Sequence, residues 1–158
     1  MAIKIFTQDR HNLFMEKAFS QALCAYRHNE VPVGALVVSI SGDILARAYN
    51  KVEKQGCQTG HAEVLAIQRA CKRLGGWRLP GCWLYVTLEP CAMCLGLVAL
   101  SRLEGVVYGA TSHIYNDRIL EKYEYKIRDK IKVISGIKEK MCTDILKLFF
   151  REKRREER

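Results

Sequence analysis

Proline is scarce in this chain of 158 residues: there are three, Pro32, Pro80 and Pro90, too scattered to form a linker. No internal repeat or low-complexity stretch breaks the sequence, which excludes a flexible array and leaves one ordinary globular unit. Long apolar runs are missing too. The longest, Cys91 to Leu100, falls far short of the roughly 18 residues a membrane-crossing helix needs. The opening segment, Met1 to Arg10, sets Lys4, Asp9 and Arg10 around a short apolar patch, so no secretory leader is expected. Acidic side chains are the minority, 17 against 26 basic ones, for a net charge of +9.

An even number of cysteines is also lacking. Seven thiols spread over a chain of this length argue against a disulfide framework. The expected compartment is reducing and cytoplasmic, where cysteines are buried, catalytic or metal-bound. Hydrophobic residues make up 49% and charged residues 27%, which excludes wholesale disorder. The length suits a single domain over residues 1–158 with one sizeable core. Residues 117–158 carry 14 basic and 9 acidic side chains, more than half of the excess charge in about a quarter of the chain. That bias suggests a polyanionic partner, against the plainer alternative of a solvated helix face.

The patterning predicts alternating strands and helices. Asn12 to His28 reads as an amphipathic helix, with Leu13, Phe14, Ala18, Ala22 and Leu23 as its apolar positions. Val33 to Ile40 reads as a buried strand, Ser41-Gly42-Asp43 as a turn and Ile44 to Tyr49 as the returning strand. Thr59 offers an N-cap for a helix to Leu74, stopped by Gly75-Gly76. Trp83 to Leu88 is a strand, Cys91 to Ser101 a helix and Gly105 to Tyr108 a strand. A polar segment over 110–130 precedes a strand at 131–135 and a basic C-terminal helix over 139–157. Such alternation after a hairpin predicts a layered α/β domain with a mostly parallel sheet. His11 and His28 are expected on the surface, and Cys24, Cys71 and Cys142 as core thiols.

Two short patterns carry chemistry: His61-Ala62-Glu63 and Pro90-Cys91-Ala92-Met93-Cys94. Alone, each arises easily by chance. Together, each opens a helix, and the second directly follows a strand. Cys91 and Cys94, three apart, share a helix face near an N-terminus whose free N–H groups favour thiolates. Pro90 suits the first helical turn. One imidazole and two thiolates make a catalytic zinc pattern, with a fourth tetrahedral position left for water and Glu63 beside it as proton carrier. A four-ligand structural site would need a further pair, which Cys57 and Cys82 do not supply, and a redox pair at Cys91 and Cys94 would leave His61 and Glu63 unexplained.

H-A-E followed by P-C-x-x-C is the signature of zinc-dependent nucleobase deaminases. Between about Phe14 and Arg155 the chain resembles the bacterial tRNA-specific adenosine deaminases of the cytidine/deoxycytidylate deaminase superfamily. The resemblance rests on Glu30-Val31-Pro32-Val33-Gly34-Ala35, Asn50, Thr59, His61-Ala62-Glu63 and Tyr85-Val86-Thr87-Leu88-Glu89-Pro90-Cys91. It implies a three-layer α/β/α cytidine-deaminase-like fold with a mixed sheet of about five strands, a homodimer, and one zinc per subunit on His61, Cys91 and Cys94. It further implies that Glu63 is the catalytic proton carrier, and that Asn50, Val33 and the Ala62 backbone N–H receive the base. Phe149, Phe150, Arg151, Arg154 and Arg155 resemble the family's RNA-contacting C-terminal helix. The implied reaction is adenosine-to-inosine deamination at the wobble position of a tRNA anticodon stem-loop. Deamination of a free base or nucleoside such as guanine or cytosine is the alternative, and a non-catalytic zinc-stabilised RNA-binding protein is a further one. The chain departs from the family pattern at Cys57-Gln58, at Thr111-Ser112, and over His113 to Lys126, all expected around the substrate mouth.

Overall fold

The computed structural model describes residues 6–112 and 131–158. The apolar run expected as a buried strand forms β1 (Gly34–Val38), every residue of which is buried. A strand covered on both faces needs no polar alternation. The chain turns at Gly42, where φ is +91° and the Ser39 N–H donates to the Asp43 carbonyl at 2.9 Å. It returns as β2 (Ile44–Tyr49), antiparallel to β1.

On the other side of β1 lies β3 (Trp83–Leu88), also antiparallel to it, followed by β4 (Gly105–Ala110) and β5 (Lys132–Ile134), both in parallel pairings. The order is β2-β1-β3-β4-β5. The sheet is therefore mixed in equal parts and not mostly parallel. The helical crossover from β2 to β3 does join strands running the same way, but β1 sits between them and turns both of their pairings antiparallel.

Alternate residues of each central strand enter two separate cores. Ala35, Val37, Leu84, Val86 and Val106 pack under α3 (Ala62–Leu74) and α4 (Ala92–Leu100), whose contributions include Ala66, Ile67 and Val98. Leu36, Val38, Trp83, Tyr85 and Val107 pack under α1 (Gln8–Arg27) and the C-terminal helix, here α5 (Glu139–Glu156). Helices thus cover both faces, as a three-layer α/β/α arrangement requires. A short helix α2 (Val52–Gln55) and a 3₁₀ turn (Gln58–Gly60) link β2 to α3 and build one wall of the site described below.

Several boundaries differ from expectation for local reasons. The first helix begins at Gln8, because Thr7 caps it by accepting the Arg10 N–H at 3.4 Å. Its first turn offers no apolar stripe, so hydrophobic periodicity alone starts it at Asn12. His11, expected on the surface, is buried, with Nδ1 at 2.9 Å from the Tyr85 hydroxyl, and that burial lowers its pKa. His28 is exposed, as expected. Of the expected core thiols, Cys142 is buried, whereas Cys24 and Cys71 are half-buried. The divergent segment from His113 to Lys126 lies outside the described residues.

Gly34 shows how closely the α1 layer sits on the sheet. A Cβ there would lie 2.0 Å from the Ala18 carbonyl oxygen and 2.4 Å from the Ala22 nitrogen, both backbone atoms that cannot rotate aside. Gly34→Ala is expected to destabilise the fold by roughly 3 kcal/mol or more. Urea denaturation measures this, and a midpoint unchanged from the parent would refute the close approach.

Candidate active site

The two chemical motifs meet because two helices on the same face of the sheet begin at one place. His61 leaves the 3₁₀ turn with φ −56° and ψ 140° and is the N-cap of α3, so Thr59 is not. The Thr59 hydroxyl instead pairs with the Cys57 thiol at 3.1 Å. This backbone bend removes the geometric difficulty in H-x-E. Two residues within a helix point about 200° apart, but an N-cap residue is not helical and its side chain can share a pocket with that of Glu63. Cys91 is likewise the N-cap of α4, which places Pro90 one residue before the cap instead of within the first turn. Cys91 and Cys94 are therefore N-cap and third helical residue, positions whose side chains converge at a helix start.

The three candidate ligand atoms, His61 Nδ1, Cys91 Sγ and Cys94 Sγ, all lie within 4.8 Å of one another. Among the described residues, this is the one group of three or more His, Cys or carboxylate side chains so placed. Nδ1 is 3.8 Å from the Cys91 sulfur and 3.4 Å from the Cys94 sulfur. A tetrahedral ion with the usual zinc–nitrogen and zinc–sulfur bonds would hold such atoms about 3.6 Å apart. The trio thus fits zinc in distance as well as donor type. Cys57 is exposed and Cys82 is buried at the foot of β3, so neither makes a fourth ligand.

The electrostatics of the trio are those of a site that wants a cation. Hydrogen bonding from Cys94 and from His61 holds the Cys91 thiol down at about 4, and the same bond between the sulfurs pushes Cys94 up. Contact with Cys91 raises the His61 pKa. The His61 side chain makes no capping bond to α3, and the Cys91 sulfur is engaged by His61 and Cys94. Glu63 is only 4% exposed, and desolvation raises its pKa. A carboxyl whose charged form is disfavoured accepts and retains a proton readily.

His61 and Cys91 line a cavity of about 810 Å³, within the usual range for ligand sites, with Cys94 buried behind them. Val33, Asn50 and Glu63 line it on one side. The other wall belongs to α5, where Thr143, Lys147, Phe150 and Arg154 recur at helical spacing on one face. The divergent residues Gln58, Thr111 and Ser112 also line it.

The Ala62 N–H, expected to receive the base, is one of the first-turn donors that α3 itself does not use. Some other expected residues do not line the cavity. Phe149 is buried, edge-to-face with Tyr26 at 6.2 Å, and holds α5 down instead of facing the cavity. Arg151 and Arg155 are exposed and are not among the residues that line the cavity. Thr143, Leu146 and Lys147 were not expected as lining. Leu146 lies four, Lys147 three and Thr143 seven residues before Phe150, and that helical spacing is the signal the sequence offered.

Residues 8–110 match the model of the cytidine and deoxycytidylate deaminase zinc-binding region. The tRNA-specific adenosine deaminase of Bacillus subtilis (strain 168) is 44% identical over 159 residues, spanning 96% of this chain and 94% of that protein. A solved tRNA:A34 deaminase, from work on A-to-I editing at the wobble position of transfer RNA, superimposes with a TM-score of 0.76 at 35% identity. It covers 84% of this chain and 98% of its own. The guanine deaminase of Bacillus subtilis gives a TM-score of 0.60 at 39% identity over 64% of each chain.

Proposed function

Because the chain belongs to the cytidine and deoxycytidylate deaminase family, and within it to the tRNA-specific adenosine deaminases, we propose that it deaminates adenosine to inosine at the wobble position of a tRNA anticodon. The observation that carries this is the buried Glu63 beside the His61, Cys91 and Cys94 trio, at the floor of a cavity walled by a basic helix. His61, Cys91 and Cys94 would hold one zinc ion per subunit, which would supply Lewis acidity and lower the pKa of a water there toward neutrality. Glu63 takes a proton from the attacking water and hands it to N1 of the adenine ring as C6 is attacked. It then carries the second proton to the amino group, and ammonia leaves. Asn50 and Val33 grip the flipped base, with the Ala62 N–H at the same helix start.

The whole chain works as one deaminase unit, with α5 as its RNA-facing wall. In this reading Phe150 and Arg154, which line the cavity, stack on and pair with the loop, and the exposed Arg151 and Arg155 add positive charge for flanking phosphates. Two subunits act together. Between Cys91 and Leu100 there is no charged residue, and Met93 and Leu100 are 41% and 70% exposed, an apolar face suited to a second copy. Among the described residues no helix is long and apolar enough to cross a membrane, and the tRNA substrate places the enzyme in the cytoplasm.

The guanine deaminase similarity keeps free guanine as the second reading. Incubation with total tRNA followed by sequencing separates the two. The expected result is adenosine read as guanosine at the wobble position, with a rate that falls steeply between 50 and 200 mM added salt. Ammonia release from guanine with tRNA left unedited overturns the RNA reading.

A further inference from the structure

We propose that Glu30 is a positioning residue for the substrate wall, acting through Asn50 and α2. Glu30 is 2% exposed, and among the described residues no cationic side chain pairs with it. Its carboxylate instead gathers three N–H donors: the Asn50 side-chain amide at 3.5 Å and the Glu53 backbone at 3.0 Å on Oε2, and the Lys54 backbone at 2.7 Å on Oε1. Burying a carboxylate is costly, and a surface helix of four residues would not by itself justify that cost. The arrangement makes sense as a brace.

Asn50 and Glu53 line the cavity. An asparagine amide has two ends of opposite hydrogen-bonding sense. With its N–H₂ end drawn to Glu30, the Asn50 amide has one orientation, and its Oδ1 and remaining N–H are presented in a fixed sense to whatever enters. The Asn50 backbone is held as well, its N–H donating to the Val33 carbonyl at 2.9 Å. Glu30 also serves as the missing cap of α2, because the N-cap residue Lys51 makes no side-chain bond to that helix. One carboxylate therefore sets both the orientation of the amide and the position of the adjoining wall. It does so from the segment that follows α1, three residues beyond Arg27. Glu30 touches no reacting atom.

This inference rests on the proposal that Asn50 contacts the base, and a double-mutant cycle separates the two. Zinc-loaded parent, Glu30→Gln, Asn50→Ala and the double variant are assayed on an anticodon stem-loop RNA for kcat and KM, with zinc content and circular dichroism recorded for each. Glutamine keeps the size but sets a donor amide against three donors. The expected result is a loss of roughly 10- to 100-fold in kcat/KM for each single variant. Zinc content is expected to stay unchanged, and the double variant is expected to fall no more than about twofold below Asn50→Ala. Losses that multiply in the double variant, with Asn50→Ala itself impaired, overturn the positioning role and leave the Asn50 contact standing. Full activity of Asn50→Ala overturns both. If Glu30→Gln fails to fold, Glu30→Asp, which keeps the charge but withdraws the carboxylate by one methylene, replaces it in the same cycle with the same criteria.

Discussion

Glu63→Gln is expected to abolish most turnover while leaving the protein otherwise intact. Glutamine occupies nearly the same volume but cannot take a proton from water and pass it on. General acid–base catalysis is worth roughly 10²- to 10⁴-fold, and the loss should lie toward the upper end, because in the proposed mechanism one carboxylate serves both the ring nitrogen and the leaving amine. Zinc content should be unchanged, since the proposed ligands are His61, Cys91 and Cys94 and not Glu63. The melting temperature should not fall, because the substitution removes a charge from a residue only 4% exposed. Single-turnover deamination of an anticodon stem-loop, with metal analysis alongside, checks all three points. Turnover within tenfold of the parent would remove Glu63 from the mechanism and would favour a zinc-stabilised RNA-binding protein.

Cys94→Ala is expected to empty the metal site and with it the activity. Two remaining ligands, His61 and Cys91, cannot define a tetrahedral centre. Without an ion there, the pKa of the attacking water would return to its far higher bulk value, leaving hydroxide at neutral pH scarcer by many orders of magnitude. No turnover should be detectable, and zinc after dialysis should approach zero. Cys57→Ser is the companion variant. The Cys57 thiol is exposed and bonds Thr59, so its loss should leave the metal in place. Zinc retained by Cys94→Ala but lost from Cys57→Ser would reassign the ligands.

How far the molecule was legible in its sequence depends on the distance over which each feature is determined. The β1–β2 hairpin is local: an apolar run, Ser41-Gly42-Asp43, and a second run whose observed bounds, Ile44–Tyr49, match expectation. The ligand trio was legible because motif spacing carries it. The roles of His61 and Cys91 as N-caps were not, because a boundary shift of one residue is invisible to periodicity and yet decides where the side chains point. Position also separated Phe149 from Phe150. Adjacent on a helix, they lie about 100° apart, and only the packing of α5 on Tyr26 decides which one faces the cavity. The burial of His11 and the bracing by Glu30 depend on partners distant in sequence, Tyr85 in one case and the backbone of residues 53 and 54 in the other. No local pattern encodes those meetings. The sheet order escaped for a similar reason, since β1 inserts itself between strands that the crossover alone would pair.

The starts of α3 and α4 have a consequence for how the molecule comes apart. An ordinary helix closes its first turn with a side chain of its own, worth about 1 kcal/mol. Here both cap residues, His61 and Cys91, are turned toward a common point and leave their own first turns unclosed. When bound there, the ion is a clasp between two elements that are otherwise loose at the same end. Metal loss would therefore register as fraying of two neighbouring helix ends together while the sheet beneath them stays formed, which makes the catalytic floor the least protected part of its own layer.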